Sequence, residues 1–177
     1  MRAAAVAVTG LALVAATTAP ADEPVPTRDC HSRADPSGPA PIRFATRNDL
    51  VVGPVSFTSL RLATSRGSLG PRGEDGRWFR KTGAKVLWGR PVTVSIPARA
   101  ADRVALAYAR GNTLTSAIRF EPCPPGTIRY GGGRLRRVTM FNGGFSVVRP
   151  GCYPVEVRVE GRAVPYRGRG PLGRPCR

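Results

Sequence analysis

The sequence PGCYPVEVRVEGR, residues 150–162, sets Val155, Val157 and Val159 two positions apart and interleaves them with Glu156, Arg158 and Glu160. Side chains of an extended chain point to opposite faces in turn, so this spacing makes one apolar face and one charged face. It predicts a half-buried β-strand, with the valines buried together and the charged residues exposed. The charged face carries both signs, as a solvated sheet face does. It is no stripe for a polyanion.

The same alternation recurs on both sides of this stretch, in short runs between glycine and proline punctuation. Strands are expected at 42–46, 50–57, 77–81, 85–88, 92–96, 104–108, 115–120, 138–141, 145–149, 154–160 and 163–166. Many short strands without helical periodicity describe an all-β chain: a single antiparallel β-sandwich, immunoglobulin-like or related. One helical competitor exists, PARAADRVALAYAR at 97–110, whose alanine and arginine content favours a short helical turn at 98–102 before a strand. RGNT at 110–113 and FNGG at 141–144 read as hairpin connections. GRGPLG at 168–173 spells the letters of a dinucleotide-binding loop, but Pro171 and the chain end leave no helix for it to open. It reads as a glycine-rich tail loop.

The chain begins with Arg2 and an uncharged apolar run that ends in Ala19-Pro20-Ala21, a small-x-small pattern. This predicts a signal peptide at 1–21, a secreted or envelope-associated protein, and no transmembrane segment after the signal. Residues 22–41 read as a proline-rich tether pinned at Cys30, and 42–177 as the β-domain. The four cysteines, Cys30, Cys123, Cys152 and Cys176, include no C-x-x-C pair, and His31 has no partner at ligand spacing. In an exported chain they predict two disulfides, with no metal or cofactor. Of three connectivities, Cys123 with Cys152 and Cys30 with Cys176 is the expected one, stapling strand ends and tying the tether to the tail.

The formal net charge is +17, and removing 1–21 takes away only one basic residue, Arg2. Lys81 and Lys85 are the only lysines. Arginine, alanine, glycine and proline crowd the chain together, so the arginine excess follows a GC-rich codon composition, and nucleic acid is not the expected partner. Such a surface still attracts anionic polymers until salt screens it. Two clusters are candidates for contact. GRWFRKTGAKVLWGR at 76–90 interleaves Arg77, Arg80, Lys81 and Lys85 with Trp78, Phe79 and Trp88, the mixture of aromatic faces and cations that suits a sugar or polyanion. RYGGGRLRRV at 129–138 groups Arg129, Arg134, Arg136 and Arg137 around a glycine loop. The plain structural alternatives are a hairpin with its tryptophans in the core, and a connecting loop.

Catalytic constellations are scarce. His31 is the only histidine, no serine sits in a G-x-S-x-G elbow, and Glu74 and Asp75 are adjacent in the turn-like PRGEDGR, 71–77, from which either would have to meet Glu121 in space.

RFEPCPPG at 119–126, GGFSVVRPGCYPVEVRV at 143–159 and the terminal Cys176 together resemble a group of small exported four-cysteine β-proteins of GC-rich actinobacteria. The resemblance covers residues 119–176 and implies export and a disulfide-linked β-fold, with no activity attached. CPPGT at 123–127 is also similar to the cysteine-proline loop of exported subtilisin-inhibitor-type proteins, although length and cysteine spacing differ. The expected function is a noncatalytic interaction module whose cations contact anionic cell-envelope polymers. The alternatives are a secreted hydrolase using carboxylates and a secreted protease inhibitor.

Overall fold

A computed structural model describes residues 24–35, 40–130 and 132–177. The expected signal peptide, residues 1–21, lies outside them. Strands form at Thr27–Arg28 (β1), Leu50–Val52 (β2), Val55–Phe57 (β3), Trp78–Lys81 (β4), Ala84–Leu87 (β5), Val92–Ser95 (β6), Val104–Leu106 (β7), Ala117–Phe120 (β8), Val138–Phe141 (β9), Gly144–Val147 (β10), Gly151–Val159 (β11) and Tyr166–Leu172 (β12). The chain is all-β, as its alternation predicts. A four-residue helix, α1 at Ala98–Ala101, precedes β7 where the alanine-arginine run places it. No helix among the described residues is long and apolar enough to cross a membrane.

The strands divide among three sheets: β1-β8-β6-β11-β12, β2-β3-β5-β9 and β4-β10-β7. All neighbours are antiparallel except β1 and β8. The second and third sheets are continuous through a bent ribbon. Ala84 pairs with Phe141 and Leu87 with Val138 in one sheet, and Lys81 pairs with Gly144 and Trp78 with Val147 in the other, all in one register. Between the halves, Thr82 N–H donates to the Gly143 carbonyl at 3.0 Å.

FNGG is therefore the corner at which a long strand changes sheets, a correction to the hairpin expected there. The glycine is required at 143 because a Cβ would run into the Tyr108 ring, which fills the inside of the corner. RGNT does turn the chain back on itself: its 3-10 turn at Arg110–Asn112 lies in a loop closed by an antiparallel Leu106–Thr115 bridge, after which β8 takes β6 as its partner and not β7. Turn residues report that the chain turns, while the partner of the next strand is chosen elsewhere.

Other expectations shift for related reasons. Residues 42–46 alternate in burial but form no strand, and 50–57 splits into the tight β2–β3 pair at Gly53-Pro54. The tail around GRGPLG is strand, not loop: β12 runs alongside β11 from Gly151–Leu172 to Val157–Tyr166. Its glycines suit a face pressed against the next layer, since a Cβ on Gly168 would stand 2.5 Å from Val52 Cγ2. Within the proline-rich segment, Thr27 and Arg28 add a parallel strand to β8.

One aromatic chain joins the sheets in the core. Phe57 meets Phe145 at 5.5 Å between ring centroids, Phe145 meets Tyr108 at 6.3 Å, Tyr108 meets Phe120 at 5.5 Å, and Phe120 meets Phe141 at 4.9 Å. These separations fall in the range of favourable edge and offset contacts. Tyr108 is fully buried and its hydroxyl donates to the Thr82 carbonyl at 2.8 Å; burial drives its pKa far above the ordinary tyrosine value.

All four cysteines are paired, as Cys30–Cys123 and Cys152–Cys176, with Cα separations of 4.9 and 5.1 Å. This corrects the expected connectivity. Parallel pairing of β1 with β8 carries Cys30 alongside Cys123, and the β11–β12 pairing returns the tail to Cys152.

Lys85 is also corrected, from surface cation to internal anchor. It is 6 % exposed, and its Nζ donates to Asp49 Oδ2 at 2.6 Å. Burial raises the pKa of the Asp49 carboxyl, but hydrogen bonds from Lys85, from Ser59 N–H at 2.8 Å and from Thr46 N–H at 3.0 Å outweigh it and hold that pKa below the ordinary aspartate value. Lys85→Met will cost about 3 kcal/mol, because it strands the buried carboxylate. Adding Asp49→Asn will recover part of the loss, since the amide oxygen still accepts from Ser59. Denaturant unfolding of the three proteins measures this, and an unchanged midpoint for Lys85→Met would remove the pair from the account of stability.

Candidate functional site

The three-stranded sheet β4-β10-β7 turns one face to the core and one outward. Trp78 and Arg80 share the inner face with Phe145, Val147, Val104 and Leu106, because cross-strand partners lie on the same side. Phe79 and Lys81 share the outer face with Gly144, Ser146 and Ala105. Those last three side chains are small, so Phe79, 39 % exposed, lies over the floor. A Cβ on Gly144 would stand 2.8 Å from the Phe79 ring.

Two adjoining clefts open on this side of the sheet, and Ser146 lines the first. Phe79 and Ala107 line both. The first, about 350 Å³, is walled by Arg72, Arg77, Asp75 and Leu114. The second, about 460 Å³, is walled by Arg28, Lys81, Arg110 and Asn142. No carboxylate is among the residues lining the second cleft.

The cations are held to different degrees. Arg77 Nε donates to Ser146 Oγ at 2.9 Å, which fixes the guanidinium at the cleft wall. Arg72 Nε donates to the Gly76 carbonyl at 2.6 Å and its guanidinium lies 4.8 Å from the Trp78 ring centroid. Arg28 donates to the carbonyls of Tyr108 and Ser32; burial first, and then the nearby Arg110 charge, lower its pKa. Two like charges brought together over a wall of Arg28 and Arg110 favour an anion between them. The side chains of Lys81 and Arg110 make no ion pair among the described residues.

No family model, curated protein or solved structure matches the chain.

The candidates from the sequence are thus divided three ways. Arg77, Trp78 and Lys81 line the clefts. Arg80 and Lys85 do not. Arg80 spends its guanidinium on the carbonyls of Ser68 at 2.7 Å and Ser59 at 3.0 Å, tying two 3-10 turns to β4, and Lys85 is buried on Asp49. Trp88, Arg134, Arg136 and Arg137 stand elsewhere, beyond the end of β5 and before the start of β9. Arg28, Arg72 and Arg110 carry no local signal for a site, since folding brings them in from segments far apart in sequence.

Asp75 and Glu121, which a hydrolase would need to bring together, line no common cleft. Asp75 lines the first cleft, but its Oδ1 accepts from Arg77 N–H at 3.0 Å, the turn chemistry its sequence suggests. Glu121 accepts from Arg119 Nε at 3.2 Å and lines neither cleft. Among the described residues, no group of three or more His, Cys, Asp and Glu side chains could hold a metal ion.

Proposed function

We propose that this chain is an exported, noncatalytic interaction module that binds an extended anionic envelope polymer along the two clefts. The observation that carries the reading is the shared wall: Phe79 and Ala107 belong to both clefts, so one strand of polymer passes from Arg72 and Arg77 to Lys81, Arg28 and Arg110 without leaving the surface. Export follows from the leader-like start of the sequence, and the two disulfides fit that setting.

Lys81→Ala with Arg110→Ala will weaken retention on an immobilised polyanionic envelope polymer about tenfold at fixed ionic strength, the loss expected for removing a charge-assisted contact. Arg99→Ala with Arg174→Ala removes the same charge from exposed positions outside the clefts and serves as the comparison. Salt alone does not separate the readings, because any cation releases counterions. Equal losses from the two pairs, each first shown to be folded, would mean that net charge explains the attraction and would end the proposal of a site.

A further inference from the structure

Trp88 is 51 % exposed, unusual for the residue type with most to gain from burial. Its place in the fold is informative. The β5–β9 ladder ends at Leu87 paired with Val138, and the next step has Trp88 N–H donating to the Arg137 carbonyl at 2.7 Å. Trp88 and Arg137 are therefore direct cross-strand neighbours at the rim of the core, although 49 positions separate them in the sequence. The two clusters that were separate in the sequence, 76–90 and 129–138, meet here.

Arg137 of this pair lines a cavity of about 160 Å³, whose partly apolar wall includes Ile42, Leu135 and Val138 together with Arg129, Arg134 and Arg136. No carboxylate lines it. Arg134 Nη1 is held on the Gly126 carbonyl at 2.9 Å, whereas the side chains of Arg136 and Arg137 are exposed and make no ion pair among the described residues. At about 30 Å³ per water, the cavity has the volume of about five waters, enough for a carboxylate or phosphate group.

We propose that Trp88, Arg136, Arg137 and this cavity form a second site, distinct from the clefts over β4-β10-β7, that binds a single anionic sugar unit. The guanidiniums take the carboxylate or phosphate, and the negative face of the indole takes the C–H edge of the ring. An exposed tryptophan suits a ring ligand, and two exposed arginines without an ion pair among the described residues favour a charged one. The proposal does not depend on the polymer-binding reading, because no residue is shared between the two sites.

The experiment is a fluorescence titration of the folded protein with glucuronate, with glucose 6-phosphate and with glucose. The expected result is a saturable change in tryptophan emission with at least one of the two anionic sugars and none with glucose; which of them acts distinguishes carboxylate from phosphate. Arg136→Ala with Arg137→Ala will weaken that response about tenfold, the loss of a charge-assisted contact. Trp88→Phe will abolish it and so assign the signal to Trp88 and not Trp78, while Lys81→Ala with Arg110→Ala will leave it unchanged. No saturable response to either anionic sugar would overturn the proposal. So would an equal response to glucose, or a response that survives Trp88→Phe or is lost in the Lys81 and Arg110 variant.

Discussion

Val157→Asp will leave the chain without a cooperative unfolding transition, while Arg158→Asp will change its stability by no more than about 0.5 kcal/mol. Val157 has no exposed surface and lies on an interior strand of the five-stranded sheet, between Val94 of β6 and Tyr166 of β12. An aspartate there has no cation to meet, and a carboxylate buried without a partner costs several kcal/mol, on the order of the whole stability of a domain this size. Arg158, one position on, is exposed and donates to the Ala163 carbonyl at 3.0 Å, a contact that water replaces. Circular dichroism and melting of both variants are the measurement. Comparable damage from the two would mean that β11 presents its faces the other way.

Removing the Cys30–Cys123 disulfide by Cys30→Ser with Cys123→Ser will cost about 4.6 kcal/mol, and removing Cys152–Cys176 about 3.4 kcal/mol, in the chain-entropy account. The ordering comes from loop length: the first bridge joins residues 93 apart, the second 24 apart. The first loss also reaches the clefts. Cys30 anchors the segment that contains β1 and the 3-10 turn at Cys30–Ser32, from which Arg28 and Ser32 wall the second cleft. Polymer retention will therefore fall with the first pair of substitutions and hold with the second, once both variants are compared at a temperature where they are folded. Equilibrium unfolding gives the stabilities, and a larger loss from the Cys152 pair would contradict the ordering. Peptide mapping without reduction checks the pairing itself.

Faces were legible in the sequence where a residue's own neighbours settle them. Val155 and Val157 are buried and Arg158 and Glu160 exposed, as alternation requires; Val159 and Glu156 are half-buried, where the strand approaches its end and where Arg167 Nε on β12 donates to Glu156 at 3.0 Å. Alternation failed at β12, whose run of glycine, arginine and proline has no β-branched residue to reveal it, and which is strand because β11 supplies a partner along its length. It misled at 42–46, which alternates without finding a partner. In the candidate site, Arg77, Trp78 and Lys81 were legible as cations and aromatics in one strand. Arg80 carried the same signal, but its place on the inner face of β4 commits it to the carbonyls of Ser59 and Ser68.

By itself the sequence determined that the chain is β, where most of its strands centre, which way most side chains face and that its cysteines pair. Each of these is a local matter, settled by period-two spacing, turn residues and an even cysteine count. Only the tertiary structure decided which strands are neighbours, and everything of functional interest hangs on that choice. Parallel pairing of β1 with β8 puts Cys30 on Cys123, the bent ribbon turns FNGG from a hairpin into a corner, and the β5–β9 ladder sets Trp88 beside Arg137. Strand pairing is a competition among hydrogen-bonding edges that all expose the same backbone groups, won by whichever arrangement closes the most apolar surface around Phe57, Tyr108, Phe120, Phe141 and Phe145. That sum runs over the whole chain, and no local stretch of it carries the answer.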